Sequence, residues 1–213
     1  MDPLAAVLGV GGFALGLAAD RLAVRWPDHD EEHPAGRRVD WRTVACAVIG
    51  ALAFGLLPSR FGGDPLAFAV FGAWFATLVV GLATDLDQRL LPDLLTLPVI
   101  PIALVYALSG ANPLVGSELL LAVAAAILIP AVLFLPSIPF GAGAFGIGDV
   151  KLLVGVGLLA GGSRALGSVV FALFVAGVVL VVLLAARRIG RRTYVPFGPF
   201  FILGALWAVL LRT

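Results

Sequence analysis

"ALGSVVFALFVAGVVLVVLLAA" (residues 165–186) runs from end to end without a charged side chain. As a helix it exceeds the roughly 20 residues that cross the hydrocarbon core of a bilayer. The whole chain shares this character. Its 213 residues are 61% hydrophobic and 13% charged, with a mean hydropathy of +1.10. A water-soluble domain is about 45–50% apolar and about 25% charged. Lipid admits only helices and closed barrels, because no water is there to satisfy the backbone. A barrel sequence alternates in polarity over segments of about ten residues, whereas this one has continuous apolar blocks. The expected fold is therefore all-α: a polytopic membrane protein of about eight transmembrane helices, with no soluble domain of size.

The eight candidate spans lie at about 3–19, 43–57, 66–83, 96–108, 116–135, 150–160, 165–186 and 197–211. Several are too short to cross straight, which is tolerated where other protein covers their ends. Pro98, Pro101 and Pro130 are expected to kink or stop helices. The first block has no basic stretch before it and no cleavage site after it, so it reads as a span and not as a removed signal. Two units are expected: an N-terminal helix pair (1–57) with a short loop, and a six-helix core (66–213).

The basic residues orient the chain. With the N-terminus outside, the inner loops hold eleven of the fourteen, among them Arg21, Arg25, Arg37, Arg38, Arg42, Arg89, Lys151 and those at 187–192. Arg60, Arg164 and Arg212 fall outside. The positive-inside rule selects this topology, with both termini outside and the membrane expected to be the cytoplasmic one. A net charge of +1 suggests no nucleic-acid partner, and the single cysteine, Cys46, rules out a disulfide framework or a cysteine metal site.

On this topology two acidic stretches share the inner face. In "GLATDLDQRLLPD" (81–93), Asp85 directly follows an apolar run. An ionisable group at that depth is costly and points to function. Asp87 and Asp93 read as solvated charges of a helix end, with Pro92 stopping the turn. In "GIGD" (146–149), Asp149 taken alone fits a helix N-cap. Gly146 and Gly148 in addition let the backbone approach another chain closely or adopt positive φ. Two carboxylates brought together in a poorly solvated place hold one proton between them, the working arrangement of an aspartic protease. No Ser–His pair competes. The only histidines, His29 and His33, sit in "DHDEEH" (28–33), which reads as a solvated charge cluster; no metal is expected.

"TDLDQRLLPDLLTLP" (84–98) and "GIGDVKLL" (146–153) resemble the two signature stretches of the prepilin peptidases, or type IV leader peptidases, of the GxGD class of membrane aspartic proteases. "VPFGPFFILGA" (195–205) and "ADRLAVRWP" (19–27) are similar to that family's closing and post-first-helix segments. The resemblance implies that Asp85 and Asp149 are catalytic, supported by the backbone at Gly146 and Gly148. It carries Asp87, Pro92, Asp93, Lys151, Pro196, Gly198 and Pro199 over as motif residues without a role. It further implies cleavage of a basic leader from prepilin or pseudopilin precursors, after a glycine, at the cytoplasmic boundary and without a cofactor. Many members carry a larger first loop with two Cys-x-x-Cys zinc pairs, and those members N-methylate the trimmed product. The loop at 20–42 has no cysteine, which removes the zinc site and puts methylation in doubt, although the determinants of methyl transfer do not all lie there. The main alternative is a proton-coupled transporter. It would need acids that relay protons across the bilayer, and inverted repeats are not evident. A presenilin-type protease would need Tyr-Asp and Pro-Ala-Leu, where this chain has Thr84-Asp85 and no Pro-Ala-Leu.

Overall fold

The first three helices of this chain are each capped by an aspartate. Asp2 accepts from the Leu4 N–H at 3.0 Å and is followed by Pro3; Asp64 accepts from the N–H groups of Leu66 and Ala67 at 3.0 Å each and is followed by Pro65. Asp40 and Thr43 form a reciprocal capping box. Each cap satisfies N–H groups that the helix leaves free, and Pro costs nothing at a first position. The computed structural model describes residues 2–29, 35–140, 145–188, 190 and 195–212, and among them every regular element is helical. In chain order these are α1 (Pro3–Ala23), α2 (Trp41–Phe61), α3 (Pro65–Gln88), the single turn α4 (Asp93–Thr96), α5 (Val99–Leu108), α6 (Leu119–Phe134), α7 (Ile147–Ala160), α8 (Gly162–Ala185) and α9 (Gly198–Leu210), with a 3-10 turn, Leu135–Phe140, after α6.

All eight apolar blocks are helical. Among the described residues five helices are long and apolar enough to cross a membrane: α1, α2, α3, α6 with its continuation to Ile138, and α8. The other three, α5, α7 and α9, are shorter than a straight span needs. The short α7 is largely enclosed: Leu153, Val156 and Leu159 are fully buried, and α6, α5, α8 and α9 all pack on it.

Close helix contact is made at small residues. α1 and α2 touch backbone to backbone where Gly12 and Gly16 face Gly50 and Cys46, and Gly157 of α7 lies against Ala126 of α6. Between helices in lipid, where apolar burial gives no drive, such approach is what dispersion needs. A stack of Phe61 on Phe71, with centroids 4.3 Å apart, joins α2 to α3.

One boundary differs from the sequence expectation in a way that matters. The apolar run of α3 stops at Ala83, but the helix continues to Gln88 and ends where Arg89 takes a left-handed φ of 57°. Asp85 and Asp87 are therefore helical, because the polar side chains of this last turn find partners inside the protein. Thr84 donates to the Gly81 carbonyl at 3.1 Å, and Gln88 donates to the carbonyls of Ala23 and Pro27 at 3.1 and 3.2 Å.

Candidate active site

α3 and α7 each bring one acid to the same end of the bundle. Asp85 stands in the last turn of α3. Asp149 stands in the first turn of α7, whose N-cap residue is Gly146. The N-cap expectation for Asp149 thus fails: it lies three residues inside, with its carboxylate turned back toward the Gly146 backbone N–H. Gly146 and Gly148 do not adopt positive φ. Gly148 supplies close approach instead, since a Cβ there would sit 2.8 Å from the Leu91 Cβ. α7 is pressed onto the segment that leaves α3, and that contact sets one acid opposite the other.

The pair closes over Gly198, the first residue of α9. A Cβ built there would lie 2.5 Å from Asp85 Oδ2 and 3.3 Å from Asp149 Oδ1. The two carboxylate oxygens are therefore no further apart than the sum of those distances. Asp85 is 5% exposed and Asp149 9%. The Oδ2 atom of Asp85 is buried with no hydrogen-bond partner. Asp2, Asp40 and Asp64 each cap a helix through Oδ1, whereas Asp85 lies in a last turn and caps none.

Both acids line a cavity of about 570 Å³. Its walls are apolar, with Leu90, Phe134, Ile138, Phe145 and Phe197 prominent, and Arg89, Asp93 and Lys151 stand among the lining residues. Lys151 pairs with Asp93 at 2.5 Å. Among the other motif residues, Pro196 lines the cavity. Pro92 is buried at the N-cap of α4, and Pro199 is buried in the first turn of α9, where no N–H is missed.

Asp87 corrects the sequence reading. It is a buried ion-pair partner and not a solvated charge: Arg37 Nε lies 2.6 Å from its Oδ1, Arg42 Nη1 3.4 Å, and His29 Nε2 3.3 Å from its Oδ2. The same guanidinium of Arg37 reaches Asp20 of α1 at 2.5 Å and Asp40, the cap of α2, at 2.6 Å. Arg37 thus ties three helices together beside Asp85. Burial works against its charge, but Asp20 and Asp87 outweigh burial and hold the guanidinium above its usual range. Sequence reasoning missed this role, because the partners lie far apart in the chain and no spacing announces them. His29 contacts Asp87 and Gln88, and among the described residues no group of three potential metal ligands occurs. His33, and the arginines at 191 and 192, lie outside the described residues.

Residues 73–185 match the model of the type IV leader peptidase family. The prepilin leader peptidase/N-methyltransferase of Burkholderia pseudomallei is 37% identical over 167 residues, covering 77% of this chain and 52% of the relative. The protein of the same name in Pseudomonas aeruginosa is 29% identical over 161 residues, 76% of this chain and 55% of its own. That of Aeromonas salmonicida is 31% identical over 132 residues, 60% and 43%. The chain spans about half the length of these relatives. No solved structure matches.

Proposed function

Because the chain belongs to the type IV leader peptidase family, we propose that it is a membrane-embedded aspartic endopeptidase that removes the basic leader from pilin-like precursors, cutting after glycine. The observation that carries this reading is the meeting of Asp85 and Asp149 over Gly198, beside an apolar cavity and with one Asp85 oxygen unspent. The chemistry needs one acid with its proton and one without. The ionised carboxylate takes a proton from a water, whose oxygen attacks the scissile carbonyl. The protonated acid gives its proton to the leaving nitrogen as the C–N bond breaks. The apolar walls suit an apolar peptide segment beside the cut.

The substrates are prepilins or pseudopilins presented from the cytoplasmic face of the cytoplasmic membrane. The proposal covers proteolysis and leaves out methylation, for which the relatives' second activity is named. Family membership leaves the transporter reading without support, and both acids lie at one end of the bundle.

Orientation rests on the basic residues. The end of the bundle that carries the dyad also carries Arg21, Arg25, Arg37, Arg38 and Arg42 in and beside the α1–α2 loop, and Arg187 and Arg188 after α8. These should face the cytoplasm. Single cysteines placed at Arg38 and at Arg188 should resist a membrane-impermeant thiol reagent in intact cells and react after lysis. Strong labelling in intact cells would invert the map and move the active site to the other face.

A further inference from the structure

The two helices that carry the dyad make little direct contact with each other. α4 and α9 each pack on both α3 and α7, and the distance between the acids passes through them. α9 acts at Gly198. The other intermediary is the segment that leaves α3, and Leu91 is its wedge. Leu91 is buried; a Cβ on Gly81 of α3 would lie 3.1 Å from its Cδ2, and one on Gly148 of α7 would lie 2.8 Å from its Cβ. Close-packed contact of this kind limits how near α7 can come. It does not draw α7 in.

The attraction is supplied by two charges beside that wedge. Asp93 opens α4 two residues after Leu91, and Lys151 follows Asp149 by two. Lys151 Nζ donates to Asp93 Oδ1 at 2.5 Å, joining α7 to α4. The lysine shares a narrow cleft with Leu91, Leu95, Thr96 and Val99, and both charged residues also line the dyad cavity. An apolar stem against apolar side chains with the charge carried to the edge is how a lysine is aimed. The side chains of Asp93 and Lys151 are 63% and 21% exposed, and a pair so open to water adds little to stability. Catalysis is less forgiving, since a displacement of about 1 Å costs on the order of 10²-fold. We propose that Lys151 and Asp93 are positioning residues for the dyad: their ion pair draws α7 onto α4 against the Leu91 stop and so holds Asp149 facing Asp85. This proposal rests on the peptidase reading.

The test is kcat and KM for cleavage of a prepilin by the full chain in liposomes, with melting temperature measured alongside. Lys151→Met keeps the stem and removes the charge; Asp93→Asn removes the other charge at the more exposed side. Each should lower kcat by about tenfold, less than a 1 Å displacement costs, because Leu91 and α9 still hold the acids. KM and melting temperature should stay near wild type, and the double variant should be no slower than either single one. The reversed pair, Asp93→Lys with Lys151→Glu, should recover most of the lost kcat. A rise in KM at constant kcat would make these residues substrate contacts and overturn the proposal. So would lower melting temperature with unchanged cleavage per folded molecule, or a reversed pair as slow as the single variants. A second readout needs no activity: in a Cys46→Ala background, Asp85→Cys with Asp149→Cys should form a disulfide under mild oxidation, several-fold more slowly once Lys151→Met is added. An unchanged rate would overturn the positioning role even if the wild type cleaves nothing, whereas that lack of cleavage would count against the peptidase reading alone.

Discussion

Asp85→Asn and Asp149→Asn should each abolish the proposed leader removal, and the double variant should be no worse than either single one. Asn keeps the volume of Asp and cannot pass a proton, so the substitution removes the chemistry while leaving the packing around α3 and α7. Groups that act as one unit are grossly non-additive. The loss in each case should be at least about 10³-fold, since general acid–base transfer alone contributes roughly 10²–10⁴-fold. The check is a gel shift of a pilin precursor in membranes, with insertion and melting temperature of each variant measured in parallel. Asp87→Asn gives the contrast. It stands two residues from Asp85, but its oxygens belong to Arg37, Arg42 and His29. It should cost stability, on the order of 1–3 kcal/mol for an ion partner left buried, while the folded fraction still cleaves. Full cleavage by either dyad variant would end the aspartic-protease account.

The second large effect is expected from a single methyl group. Gly198→Ala places a carbon 2.5 Å from Asp85 Oδ2 and 3.3 Å from Asp149 Oδ1, inside van der Waals contact for the first. Gly198 does not have positive φ, so Ala meets no backbone penalty there and the effect is steric, with the two acids the nearest groups. Displacing a catalytic group by about 1 Å costs on the order of 10²-fold, and cleavage should fall by about that much with little change in melting temperature. Gly146→Ala is the control, because a Cβ there reaches Asp149 Oδ2 only at 3.4 Å. Its activity should stay within about fivefold of wild type. Equal loss at both positions would show that the acids do not meet where the structure places them.

Much of this site was legible in the chain itself. Uncharged runs fixed the helical membrane class, and alternation of the spans put Asp85 and Asp149 at one end without knowledge of their distance. The rest was hidden for physical reasons. Polarity marks where hydrocarbon ends, not where a helix does, so α3 seemed to stop at Ala83 although buried partners carry it to Gln88. Asp87 looked solvated because its neighbours in sequence are polar; its partner Arg37 lies fifty residues away. Ion pairs between distant segments have no period. The "GIGD" glycines suggested room for substrate, whereas Gly148 is filled by Leu91 and the glycine between the acids is Gly198.

We propose that Asp85 and Asp149, without a metal, cut a leader from a pilin-like precursor. The direct measurement is the mass of the products. The wild-type protein is purified, treated with chelator, reconstituted into liposomes and given a prepilin with a basic leader ending in glycine. Two products are expected, with masses that place the cut after that glycine, at a rate the chelator does not change. An intact precursor with a well-folded enzyme, or cleavage that stops with chelator and returns with zinc, would contradict it.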